Sequence, residues 1–212
     1  MNIFETYRDS VQIKDQIKSK HIVAGDNSYY SGYYHGHSFE DCVLYLDEKD
    51  NRLAPDEIDR LVIGKFCSIA SGAKFMVGGN QGHDRGLFTI YPLETIGEDF
   101  DGYKNSSSIA YKRRGDTIVG DDVWIGFEAL TMPDVKIADG AVIGARSVIT
   151  KNVGPYEIYA ENPAKLIRKR FSDEVTALLL KIQWWHWDIG KIRESIGTLA
   201  SNDVPKLGNL EK

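Results

Sequence analysis

The chain has little cysteine: Cys42 and Cys67 are the two it carries in 212 residues. A disulfide-stapled scaffold or a cysteine-rich zinc site needs more than that, so neither is expected. Basic residues are also outnumbered, with 26 Lys and Arg against 31 Asp and Glu and a formal net charge of -5. A general binder of nucleic acid or of membrane surfaces needs a positive field to meet phosphate, and this balance argues against both. There is no run of eighteen apolar residues, and Met1 to Ser10 contains no basic stretch leading into an apolar one. The expectation is therefore a cytoplasmic protein with neither a spanning helix nor a cleaved leader. With 42% hydrophobic residues the length suits one domain with a substantial core.

What the chain does have is a beat of six. Val119, Ile125, Thr131, Ile137, Ile143 and Ile149 recur at that spacing, and four residues after each comes a small or β-branched partner: Val123, Ala129, Val135, Ala141, Ser147 and Val153. A helix needs apolar spacings of three and four, and a simple strand needs strict alternation, so neither fits. A β-solenoid does. Each hexapeptide supplies one short strand and a corner, three close a triangular coil, and the aliphatic residues stack inside the prism. Gly or a small polar residue suits the corner, where the backbone turns sharply.

The same beat occurs upstream in Ile63-Gly-Lys-Phe-Cys-Ser and Ile69-Ala-Ser-Gly-Ala-Lys, followed by Phe75, with Cys67 and Ala73 in the small inner place. From Ile63 to Val119 is 56 residues, not a multiple of six, so an insertion of about forty residues, 77–116, breaks the phase. It contains Gly78-Gly79-Asn80-Gln81-Gly82-His83 and Tyr91-Pro92. A loop that long within a compact domain is functional or disordered, and chemistry is sought there. Before the upstream run, Ile22 to Ser28 reads as one irregular rung. Tyr29 to Ser38 reads as a shaped aromatic surface rather than a core strand, and the solenoid proper as starting at Leu61.

After Val153 the beat fades. From Ser172 a helical stripe of Val175, Leu178, Leu179 and Ile182 appears, with Ser172 as N-cap and Asp173 and Glu174 in the first turn, where the dipole favours anions. Asp188 can cap a second helix running to about Leu199. An open solenoid end exposes strand edges, so the tail is expected to cover that end, with Trp184, Trp185 and Trp187 packed there. The organisation read is a β-helix domain over 1–165 and a helical extension of that domain over 166–212.

Several segments together resemble one family. They are Ser28-Tyr-Tyr-Ser-Gly-Tyr-Tyr-His-Gly-His-Ser-Phe, Ile63-Gly-Lys-Phe-Cys-Ser-Ile, Gly79-Asn-Gln-Gly-His, Gly115-Asp-Thr-Ile-Val-Gly-Asp-Asp-Val-Trp-Ile-Gly, Asn162-Pro-Ala-Lys and Trp184-Trp185. Over nearly its whole length the chain is similar to the xenobiotic acetyltransferases of the hexapeptide-repeat superfamily, above all the type B chloramphenicol enzymes. The resemblance implies a left-handed parallel β-helix with C-terminal helices. It also implies a homotrimer with active sites at the subunit interfaces, acetyl-CoA in the groove between prisms, and no metal. It casts His83 as the general base, which takes the proton of an antibiotic hydroxyl as that oxygen attacks the thioester. An imidazole that titrates near neutral pH suits that work. It places Tyr29, Tyr30 and Asn80 at the acceptor, and Trp124, Gly144, Ala145, Asn162, Lys165 and Arg168 along the cofactor. Lys165, Arg168, Lys169 and Arg170 form a basic cluster suited to the nucleotide phosphates.

One departure bears on the acceptor. After the histidine, type B enzymes carry a basic residue, an Asp-Trp pair and Phe-Pro-Phe, whereas this chain reads Asp84-Arg-Gly-Leu-Phe-Thr-Ile-Tyr91-Pro-Leu. The Tyr-Pro resembles the streptogramin enzymes, while the tyrosines around Tyr33 lean to chloramphenicol. Rival readings are a sugar or small-alcohol acetyltransferase of the same fold, a metal-dependent hydratase, which needs three converging histidines, and a non-catalytic scaffold. His35 and His37 are read as shaping the acceptor pocket or its rim rather than holding a metal, His21 as lying at the surface, and His186 as a structural member of the tryptophan cluster.

Overall fold

The computed structural model describes residues 2–46, 58–78, 87–91, 93, 96–99 and 113–210. The hexapeptide beat becomes a prism. Three sheets run along it, and the chain visits them in rotation. Sheet 1 contains β1 (Val11–Gln12), β3 (Tyr29–Ser31), β6 (Ser68–Ala70), β9 (Trp124–Ile125), β12 (Val142–Ile143), β14 (Glu157–Ala160) and β15 (Lys165–Lys169). Sheet 2 contains β4 (Val43–Leu44), β7 (Lys74–Met76), β10 (Leu130–Thr131) and β13 (Val148–Ile149). Sheet 3 contains β2 (Ile22–Ala24), β5 (Leu61–Ile63), β8 (Thr117–Val119) and β11 (Lys136–Ile137). Stacked strands pair in parallel; β1 and β15, at the two edges of sheet 1, pair antiparallel with β3 and β14. The architecture is the left-handed parallel β-helix.

Both inner registers are buried. Val119, Ile125, Thr131, Ile137, Ile143 and Ile149 face inward, as do Val123, Ala129, Val135, Ala141, Ser147 and Val153. Each wholly buried Ile contributes roughly 1.5–3 kcal/mol relative to exposure, so the stack of aliphatics holds the prism together. Cys67 and Ala73 fill the small inner place of the second coil, and both cysteines are buried free thiols.

The break in phase is located here, and one expectation changes. The insertion does not dislocate the prism: β5 pairs directly with β8, with Ile63 opposite Val119, so the extra residues leave and return at the single corner between Met76 and Thr117. The solenoid also starts earlier than Leu61. β2, β3 and β4 form a complete first coil in register with β5, β6 and β7. Its corners are too long to show a six-residue beat, which hid it from the sequence pattern.

The tail contains α1 (Asp173–Ile182), α2 (Ile189–Leu199) and α3 (Val204–Asn209). Ser172 accepts from Val175 N and Asp188 from Lys191 N, as the capping pattern predicts. These helices do not close the end of the prism. They lie along the corner where sheet 3 passes into sheet 1, because that corner presents Phe66 and Tyr156, from coils far apart along the axis, to Leu179, Ile182, Trp184, Trp185 and Leu207. The edges of sheet 1 are covered instead by the antiparallel strands β1 and β15. Among the described residues no helix is long and apolar enough to cross a membrane.

Candidate functional site

The three corners of the prism differ in what they carry. The sheet 3 to sheet 1 corner stays tight in every coil and is covered by the tail. The other two sprout the long segments: residues 32–42 between β3 and β4, then residues 45–60 and the insertion where sheet 2 turns into sheet 3. His83 and Asn80 belong to the insertion and lie outside the described residues.

Of the remaining sequence-predicted residues, Tyr29 and Trp124 share the outward face of sheet 1. Tyr29 stands opposite Ser68 and Ser68 opposite Trp124, and both aromatics are exposed. Tyr30 is placed differently. Alternation along β3 turns its ring inward, where it is wholly buried against Phe4 and Phe39, so it offers no surface to an acceptor within this subunit. Gly144 and Ala145 form the sheet 1 to sheet 2 corner one coil beyond, and Asn162 lies in the turn between β14 and β15. Lys165 and Arg168 are exposed on β15. The expected basic cluster is divided: Lys169 pairs with Asp173, while Arg170 turns into the tail corner and donates to Gly140 O at 2.6 Å.

The 32–42 segment is braced by its histidines. His35 Nδ1 lies 2.9 Å from Ser71 Oγ and its Nε2 lies 3.4 Å from Glu128 Oε1, while Arg146 Nε donates to Glu128 Oε2 at 2.7 Å. His37 stacks on Tyr30, with its Nδ1 3.2 Å from Tyr30 Oη and 3.0 Å from Ser38 O. Lys74 Nζ approaches His37 Nε2 at 3.1 Å. An ammonium can only donate, so Nε2 accepts and the ring proton sits on Nδ1. Both imidazoles are thus held by partners on each side. Among the described residues no cluster of three or more His, Cys, Asp or Glu could hold a metal ion.

The other two histidines lie elsewhere. His21 is buried rather than at the surface, because the chain enters the prism there and its carbonyl accepts from Leu61 N at 2.9 Å. His186 is on the outside of the tail, with its ring edge-on to Trp185 at 6.2 Å. Burial pushes the Cys42 thiol up to about 11 and the Cys67 thiol up to about 12, so neither supplies a thiolate nucleophile near neutral pH.

Sequence reasoning missed Ser71, Lys74, Glu128 and Arg146 as braces of this region. One signal was available: Glu128 and Arg146 are 18 residues apart, one full coil, so they occupy the same corner in successive turns.

Residues 116–151 match the family described as bacterial transferase hexapeptide (six repeats). A chloramphenicol acetyltransferase of Agrobacterium fabrum is 47% identical over 97% of this chain and 95% of that protein. One from Morganella morganii is 45% identical over 96% of this chain and 93% of that protein. A virginiamycin A acetyltransferase of Staphylococcus aureus is 40% identical over 94% of this chain and 86% of that protein.

Proposed function

The chain belongs to the hexapeptide-repeat xenobiotic acetyltransferases, and we propose that it moves acetyl from acetyl-CoA to a hydroxyl of chloramphenicol with His83 as general base. It is an acyltransferase; the acceptor, the cofactor and the base are the proposal. The observation that supports the acceptor is the near-full-length identity of 45–47% to proteins named chloramphenicol acetyltransferase. A streptogramin acceptor is the second reading, favoured by Tyr91-Pro92 and by the 40% identical virginiamycin A acetyltransferase.

A neutral alcohol attacks a thioester slowly. In the proposed ternary complex the His83 imidazole takes the hydroxyl proton as the C–O bond forms, and the C–S bond then breaks as the proton passes to the CoA sulfur. The histidine census supports His83: of five histidines, His35 and His37 are braced, His21 is buried and His186 stands on the tail. Cofactor contacts are proposed at Trp124, Gly144, Ala145, Asn162, Lys165 and Arg168, and acceptor contacts at Tyr29 and Asn80. The exposed column Val23 and Ile118, in register on sheet 3 through Val62, together with Trp124 on sheet 1, supports burial of these faces between copies of the chain in a homotrimer.

Thiol release from acetyl-CoA, followed with chloramphenicol, a streptogramin A compound and amino sugars in parallel, tests the acceptor. His83→Ala is expected to lower kcat with chloramphenicol by about 10²–10⁴-fold while light scattering still reports a trimer. Near-normal turnover of that variant overturns the assignment of the base.

A further inference from the structure

The tail helices do not seal against the corner they cover. Between them and the prism lies a cavity of about 470 Å³, within the size range of small-molecule sites. Its walls are mostly carbon: Phe66, Tyr156, Phe171, Trp184, Val204 and Leu207. Polar side chains line it as well, among them Asp122, Arg170, Thr198, Ser201, Asn202 and Asp203. Tyr156 is 1% exposed, and its Oη is buried without a hydrogen-bond partner among the described residues. The Asp122 carboxylate lines the same cavity, and among the described residues its ion-pair partner, Arg170 Nη1, is 3.8 Å away. That guanidinium is already committed, donating to Gly140 O at 2.6 Å and lying 5.2 Å from the centroids of the Tyr156 and Phe171 rings.

Beside Arg170, the charges near Asp122 are acidic. Asp121 and Asp139 come from the corner itself, and Asp203 comes from the start of α3 with Lys206 paired to it at 2.8 Å. The phenol oxygen, buried without a hydrogen bond, is costly, and the partly buried Asp122 carboxylate has its guanidinium only at 3.8 Å, so a ligand that donates to both oxygens recovers part of that cost. An ammonium does so by donating to the Asp122 carboxylate and to the Tyr156 phenol oxygen, and the aromatic walls favour a cation further. A carboxylate ligand would meet Asp122 head-on.

We infer that this cavity is a second small-molecule site, separate from the acetyl-transfer site, for an amphipathic amine whose apolar body lies among the tail aromatics and whose ammonium meets Asp122 beside Tyr156 Oη. Occupancy would tie α1, α2 and α3 to the prism corner through one ligand.

The test uses three probes with one body, 4-phenylbutylamine, 4-phenylbutan-1-ol and 4-phenylbutanoate, titrated into the full-length protein by calorimetry with tryptophan fluorescence as a second readout. The amine is expected to bind at least about tenfold more tightly than the alcohol, and the carboxylate more weakly than both. Asp122→Asn is isosteric and suits the positive φ of 55° at this position, so the fold is kept. It should bring the amine level with the alcohol, and Tyr156→Phe should weaken the amine severalfold. Equal binding of amine and alcohol by the native protein, an amine preference that survives Asp122→Asn, full amine affinity in Tyr156→Phe, or no binding of any probe each overturns the inference.

Discussion

Two corners of one prism share a backbone and differ in chemistry. Where sheet 3 turns into sheet 1, Asn27, Phe66, Asp122, Gly140 and Tyr156 take positive φ in successive coils; where sheet 1 turns into sheet 2, Gly72, Glu128 and Arg146 do the same. The second corner has no helix of the tail over it, and Glu128 lies there between Arg146 at 2.7 Å and the His35 ring at 3.4 Å. The first is roofed by helices, and its charges are desolvated. Burial pushes the Asp122 carboxyl up to about 6, with Asp139 and Asp121 adding to the shift and Arg170 opposing it. The repeat dictates where the backbone turns; whatever packs on the turn decides what its side chains cost.

The largest expected contrast comes from adding one methyl group at each corner. At Gly140, φ +67°, a Cβ would meet the Tyr156 ring at 2.3 Å, and that ring is locked between prism and helices. At Gly72, φ +74°, it would meet the end of the His35 side chain at 2.3 Å, a partly exposed ring that can shift by giving up its contacts with Ser71 and Glu128. Gly140→Ala should cost about 2–4 kcal/mol and Gly72→Ala about 1–2 kcal/mol, measured by denaturant unfolding. Equal costs would mean that the roof adds no rigidity.

A smaller effect, of opposite sign, is expected from Asp122→Asn. Because the folded-state pKa of Asp122 lies above the ordinary carboxylate value, the folded chain favours the protonated form, and wild-type stability falls as pH rises from about 4 through about 6. At pH 7.5 the ligand-free Asn variant should be more stable by about 1–3 kcal/mol, and the gain should vanish by about pH 4. A gain that persists at low pH would point to a cause other than charge. The smallest effect belongs to the open corner. Glu128→Gln should cost no more than about 1 kcal/mol, read as a shift of the urea midpoint that 0.5 M salt mimics.

The sixfold run from Val119 was legible because a period of six at two registers has one geometric solution, and every inward position it named is buried. The first coil was not legible. Its corners, 32–42 and 45–60, are so long that Tyr30, Val43 and Ile63 are not six apart, and only strand pairing with β5, β6 and β7 reveals it. The family resemblance cast Tyr29 at the acceptor and Trp124 at the cofactor, and both stand exposed on the outward face of sheet 1. Tyr30, next to Tyr29, is turned by the alternation of β3 into the core of this subunit.

The chain's own pattern determined the prism, its stacked aliphatics, the caps at Ser172 and Asp188, and the place where the long insertion departs. These follow from local rules: a repeat buries what recurs, and a capping side chain reaches only its next turn. Tertiary structure alone decided that the tail lies along a corner instead of across an end, that Arg170 turns inward away from Lys165 and Arg168, and that Asp122 and Tyr156 share a cavity. Those outcomes depend on groups brought together from distant coils and helices, where burial removes water and so sets the cost of each charge.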